Sequence, residues 1–141
     1  MEFQTTHHGI REYDETEVIT FKKGLPGFEG LRKFILFPAE ENEVFNILHS
    51  VENPEVGLVT ISPFTVDKEY EVELKEGLIK RLNIEKPEDV LLQSTVTLNS
   101  NLESITVNLK APIIINISSK SGEQIILDND KYLIKHPLIQ E

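Results

Sequence analysis

The run SITVNLKAPIIINI, from Ser104 to Ile117, restricts the fold more than any other part of the chain. Its first half alternates, with Ile105, Val107 and Leu109 on one face and Thr106, Asn108 and Lys110 on the other, the pattern of a half-buried strand. Ala111 and Pro112 interrupt it. Proline has no N–H to give a ladder, so the strand must bend, end or change sheets there. Beyond the proline, Ile113, Ile114, Ile115 and Ile117 make a denser apolar run, broken only by Asn116, that suits a strand covered on both faces. The stretch reads as two core strands joined by a corner.

The rest of the chain supplies partners for those strands. Phe3–Thr6 and Thr16–Phe21 read as a pair of outer strands joined by an acidic connection at residues 9–15. In FKKGLPGFEG (21–30), four glycine and proline residues give tight turns around Leu25 and Phe28, apolar residues that imply a loop folded back on the body. KFILFP (33–38) is a buried strand ended by its own proline. Val44–Val51 and Gly57–Ser62 are two more, joined at Asn53-Pro54, and the spacing suggests an antiparallel meander. YEVEL (70–74) alternates with Glu71 and Glu73 on one face, as an edge strand guarded by like charges would. Leu74, Leu78 and Leu82, with Ile79, recur at helical spacing and predict a helix of two or three turns ending near Asn83. Val90–Leu98 is a strand that turns through Asn99-Ser100-Asn101 into the opening stretch, and that pairing is the expected heart of a sheet. Residues 113–127 read as a hairpin with a polar turn at Ser118–Gly122 and a last strand at Ile125–Leu127; the tail DNDKYLIKHPLIQE has room for a short helical turn. The fold class expected is all-β and mainly antiparallel, a small barrel-like or sandwich domain over residues 1–141 with one short helical insertion.

Composition narrows the function. With 39% hydrophobic and 27% charged residues and no long apolar segment, the chain reads as a globular protein without a membrane span; the acidic N-terminus has no signal-peptide pattern, so the expected location is cytoplasmic. There are no cysteines, which excludes disulfides, thiol catalysis and cysteine-ligated zinc. The formal net charge of −10 disfavours direct nucleic-acid binding and favours a basic partner, although such charge commonly serves solubility alone.

Catalytic chemistry finds no constellation. His7 and His8 point to opposite faces if extended and so cannot share a metal. His49 sits inside a strand pattern, and His136 precedes Pro137 in a polar tail. Asp128-Asn129-Asp130 begins like a calcium loop, but Leu133 and Ile139 stand where such a loop needs Gly and Glu. The carboxylate pairs Glu40–Glu41 and Glu88–Asp89 lie in turn sequences, where solvated charge is the default. GLPGFEG fits no phosphate or dinucleotide fingerprint. Neither a metal nor a cofactor is expected, and the chain is read as a non-enzyme. The alternative is a small enzyme or ligand-binding β-barrel whose pocket residues are scattered; a third reading is an obligate oligomer with an assembly role.

Three stretches together resemble the bacterial flagellar assembly factor FliW family: FKKGLPGFEG with KFILFP close behind it, NLKAPIIIN at 108–116, and KYLIKHPL at 131–138, with GLVTISPF (57–64) and LNIEKPEDV (82–90) between them in the same order. The resemblance implies a cytoplasmic, non-enzymatic binding protein with a small barrel-like β fold. It implies two competing partners, newly made flagellin and the translational repressor CsrA, the carbon storage regulator. CsrA blocks the flagellin message, and the family antagonises it away from its core RNA site. The free protein is expected as a monomer. Candidate partner-binding residues are Phe28 and Glu29 at the end of GLPGFEG, Glu71 and Glu73 on the edge segment, and Lys135 and His136 in the tail. Each has a plainer reading: Phe28 plugs the barrel end, Glu71 and Glu73 prevent edge aggregation, and Lys135–Pro137 pin the tail.

Overall fold

The computed structural model describes residues 1–40 and 42–139. Glu41 of the Glu40–Glu41 pair therefore lies outside the described residues. In chain order the strands are β1 (Glu2–Thr5), β2 (Gly9–Glu12), β3 (Ile19–Thr20), β4 (Lys33–Pro38), β5 (Phe45–Ser50) and β6 (Gly57–Ile61). After them come the short helices α1 (Pro63–Val66) and α2 (Glu76–Arg81), then β7 (Val90–Thr97), β8 (Thr106–Val107), β9 (Ile113–Asn116), β10 (Ser121–Gln124) and β11 (His136–Pro137). The fold is β-rich with two short helices, as the all-β reading expects.

β4, β5, β6 and β7 form the antiparallel meander. The order then continues from β4 through β3 and β10 to β9, and β9 pairs back onto β7, so the ladder closes into a barrel-like ring. The opening stretch makes that closure. β8 and β9 both run antiparallel along the same edge of β7, with Val107 opposite Val96 and Ile113 opposite Gln93. Five residues, 108–112, thus face two on β7, 94 and 95, and the corner is a bulge that lets one strand bend while it stays in one ladder. Asn108 builds it: its amide donates to Thr95 O at 2.9 Å, and its Oδ1 accepts from the amides of Lys110 at 3.1 Å and Ala111 at 3.0 Å. Pro112 is buried where no amide is required.

The isoleucine run is covered on both faces, as its density predicts. Ile113 and Ile115 point into the ring with Phe21, Leu25, Phe34 and Leu48. Ile114 points out, beneath Leu78 and Leu82 of α2. Two other covers bury the outer face: the β1–β2 hairpin packs Phe3 over Ile35, Phe37 and Ile47, and segment 66–74 with the tail packs Tyr70 and Tyr132 over Ile61, Val107 and Leu109.

Several expectations need correction. The outer-strand pair is Glu2–Thr5 with Gly9–Glu12, inside the segment read as a connection; residues 15–17 instead form a 3-10 turn, with Asp14 and Glu17 in a reciprocal capping box. YEVEL alternates as read, with Val72 and Leu74 inward and Glu71 and Glu73 exposed, yet it joins no ladder. Here the period reflects packing of an extended segment on the barrel rather than strand pairing. The helix is shorter than its leucine spacing suggests, and Asn83 ends it in the left-handed region at φ 54°. The expected polar turn holds the strand β10, because Gly122 and Glu123 are covered by Phe21 and Arg81; Ile125 and Leu127 only extend that ladder through two backbone bonds. The described tail has no helix. It runs beside β8, through β11 and the Leu138 amide, which donates to Ile105 O.

Candidate interaction surfaces

The loop 21–30 is folded by two residues that need glycine. Gly24 has φ +68°, and a Cβ there would come 2.5 Å from the Glu29 Cα; Gly27 has φ +87°. The tight turn drives Leu25 into the ring, where it is 1% exposed, beside the fully buried Phe21, whose ring meets Phe34 edge-on at 5.5 Å. The plug at this end is thus Phe21 and Leu25. Phe28 is half-buried, its amide donating to Leu25 O at 2.7 Å, and Glu29 is exposed.

A second surface joins residues 63–75 to the tail. The rings of Tyr70 and Tyr132 stack 4.5 Å apart, and the exposed Phe64 abuts Tyr70 at 6.0 Å. The Tyr70 hydroxyl donates to Leu109 O at 2.7 Å; burial, with Tyr132 beside it, pushes that phenol well above the ordinary range. The Tyr132 hydroxyl accepts from the Glu71 amide at 2.9 Å. This brace presents Glu71 and Glu73 outward. Lys75 pairs with Asp128 at 2.6 Å and Lys110 with Asp130 at 3.4 Å, so the calcium-like DND sequence is an ordinary salt-bridged turn. In the tail Lys135 is exposed and His136 half-buried, its Nδ1 2.9 Å from Pro137 O. His136 lies opposite Val107 and Leu138 bonds to Ile105, so alternation turns the backbone of Lys135 and Pro137 away from β8. An imino nitrogen on that outer edge cannot extend the sheet. The KHPL sequence therefore guards an edge, the role expected of Glu71 and Glu73. Glu71, Glu73, Lys135 and His136 share this region. Among the described residues, no hydrogen bond or ion pair joins Phe28 or Glu29 to it.

The other histidines sit elsewhere. His7 and His8 lie in the β1–β2 turn rather than along a strand; His8 meets Phe37 at 5.9 Å and His49 at 6.0 Å. His49 is 2% exposed, its Nδ1 2.7 Å from Ser50 O. Burial, the largest cause, holds both imidazoles below their ordinary value of 6.5. Among the described residues no group of three His, Asp or Glu side chains is placed to hold a metal. Sequence reasoning missed a cleft of about 610 Å³ rimmed by Glu2, Glu12, Asp14, Glu15 and Glu17. The capping-box spacing of Asp14 and Glu17 was the available signal. Among the described residues no helix is long and apolar enough to cross a membrane.

Comparison with known proteins agrees with this fold. The family model described as FliW protein matches residues 2–138. The flagellar assembly factor FliW of Clostridium novyi (strain NT) is 60% identical over 141 residues, covering 100% of this chain and 99% of that protein. The protein of the same description from Clostridium kluyveri is 54% identical over 140 residues, covering 99% of this chain and 97% of its own length. A crystal structure of the flagellar assembly factor FliW superposes with a TM-score of 0.90 at 36% identity, covering 99% of this chain and 98% of that one. With whole-length matches in sequence and in fold, the chain belongs to the FliW family of flagellar assembly factors.

Proposed function

We propose that this protein is a cytoplasmic, non-enzymatic regulator that acts as one folded unit, binds newly made flagellin and, when flagellin is exported, captures the repressor CsrA and so restores flagellin translation. The observation that carries the reading is the outward display of Glu71 and Glu73 on a braced segment of a protein with net charge −10. Two outward carboxylates within an acidic surface suit a basic RNA-binding partner, and the wider field raises the encounter rate. Lys135 and His136 flank this patch. Phe28 and Glu29, on the other loop, offer a half-buried ring beside a charge and suit the second partner. Competition through two surfaces then requires that the bound partners overlap or that the surfaces are coupled.

The test is reconstitution with purified flagellin and CsrA, using calorimetry and stopped-flow mixing. Glu71→Lys with Glu73→Lys is expected to weaken CsrA binding about tenfold or more while thermal stability is kept, and the wild-type association rate is expected to fall as salt rises. Unchanged affinity in the folded double variant would remove this edge from the interface. A salt-independent rate would remove steering, and failure of both partners to bind would remove the function.

A further inference from the structure

β10 has one open edge. On its β9 side the ladder runs on past the strand, with the amides of Ile125 and Leu127 donating to Pro112 O at 3.1 Å and Lys110 O at 2.8 Å. Antiparallel alternation therefore turns the amides and carbonyls of Gln124 and Ile126 the other way. That other side is occupied by β3 at a single rung, Ser121 opposite Thr20, where the Thr20 amide donates to Lys120 O at 2.9 Å. The chain then leaves, and the Phe21 amide bonds to Arg32 O on the β4 side. Among the described residues neither the Gln124 nor the Ile126 amide has an acceptor, and Ile126 is 73% exposed.

Two clefts lie along this edge, of about 180 and 300 Å³, and Arg81 of α2 lines both. The first holds Lys22, Lys23 and Arg81 against one carboxylate, Glu123. Arg81 at 2.8 Å and Lys23 at 3.7 Å already share that carboxylate, and Lys22 is in no ion pair among the described residues. The second is floored by Leu78 and Ile125 and rimmed by Glu73 and by the paired Lys75 and Asp128. In the first cleft three cations thus face one acid, the reverse of the balance in a chain of net charge −10.

We propose that the Gly122–Ile126 edge is a strand-addition site for an extended acidic peptide of a partner protein. The peptide backbone bonds to Gln124 and Ile126; an acidic side chain lies against Lys22 and Lys23, and an apolar one two residues along lies on Leu78 and Ile125. The site adjoins the surface assigned to CsrA, because Glu73 lines the second cleft, and differs from it in the basic side chains of the first.

The probe is the fluorescein-labelled peptide Asp-Glu-Val-Thr-Val-Thr, followed by anisotropy and by amide hydrogen exchange on the intact protein. In the free protein the Gln124 and Ile126 amides are expected to exchange far faster than those of Ile125 and Leu127, and to slow when peptide is added. Affinity should fall about tenfold or more with lysine in place of the two acids, with N-methylation at alternate peptide residues, and in Lys22→Glu, an exposed change that leaves Glu123 paired. Slow exchange at Gln124 and Ile126 without peptide would show the edge already covered. Binding indifferent to N-methylation would leave only side-chain docking, and no binding at millimolar peptide would discard the site; each result overturns the proposal.

Discussion

Asn116 offers a sharp test of how the opening stretch works. It is 1% exposed at the end of β9, and its amide group is used at both ends. Nδ2 donates to Leu82 O at 2.7 Å and Asn83 O at 3.1 Å, binding the C-terminus of α2; Oδ1 accepts from the amides of Ser118 at 2.9 Å and Ser119 at 3.3 Å, fixing the β9–β10 turn. Asn116→Ala removes all four. Leu82 O retains the Ser119 and Ser121 hydroxyls, at 3.0 and 3.2 Å, so the net loss is smaller than four full bonds. At about 0.5–1.5 kcal/mol per bond, a loss of about 2–3 kcal/mol is expected, from urea unfolding at neutral pH. Asn116→Asp keeps the acceptor but turns the donor into an oxygen facing two carbonyls, and it buries a charge, so it should cost at least as much as alanine. The two variants separate this account from simple cavity formation, because Asp fills the space. If Asp were as stable as the wild type, the donor role would be wrong. If either variant lost partner binding at full stability, the stretch would be an interface rather than scaffold.

Three further outcomes follow from packing and charge. A Cβ at Gly122 would sit 2.5 Å from the buried Phe21 ring, so Gly122→Ala should cost about 1–3 kcal/mol, with part recovered in Gly122→Ala/Phe21→Leu; strict additivity in that thermal-melt cycle would refute the contact. Buried His49 has a folded pKa below its unfolded value near 6.5, so the unfolded chain takes the proton first: its contribution is complete above that pH and is lost as pH falls through the depressed folded value. The urea midpoint should therefore drop from about pH 7.5 to about pH 5 and drop less in His49→Gln; equal slopes would refute this. Tyr70→Phe strands the buried Leu109 carbonyl and should cost about 1–3 kcal/mol, whereas Tyr132→Phe frees an amide on exposed Glu71 and should cost under about 1 kcal/mol; the reverse order in denaturant midpoints would refute the burial argument.

What could be read from the sequence was what burial periodicity writes into it. The bounds of β4 match KFILFP because proline ends the strand, and Ile113–Ile115 announced a strand covered on both faces because no polar position interrupts it. β10 was hidden because its sequence, SGEQ, is buried by a glycine under Phe21 and by a glutamate held by Arg81, so its burial lies in distant partners rather than in its own hydrophobicity. YEVEL misled in the opposite way: one face packs, but the Tyr70 amide goes to Asp67 O and the Glu71 amide to the Tyr132 hydroxyl, and among the described residues the segment pairs with no strand. The candidate surface was legible in part. Charge picked out Glu71 and Glu73, whereas the edge-guarding geometry of Pro137 required knowledge of which neighbour β11 pairs with.

The ring is closed by unequal means. At β7 both edges are consumed, one by β6 and the other by β9 and β8 across the bulge, so closure there rests on backbone ladders. At β3 it rests on one rung, and side chains do the remaining work: Phe21 lies over Gly122, Leu25 follows it inward, and Arg81 reaches across to Glu123. A ladder fixes register and leaves no vacancy, whereas side chains can seal a core while the strand beside them keeps unused amides. The glycine-rich loop 21–30 is thus the device that lets β3 be two residues long. It turns the chain away after Phe21, seals the interior with Leu25, and leaves the rest of the β10 edge outside the ring.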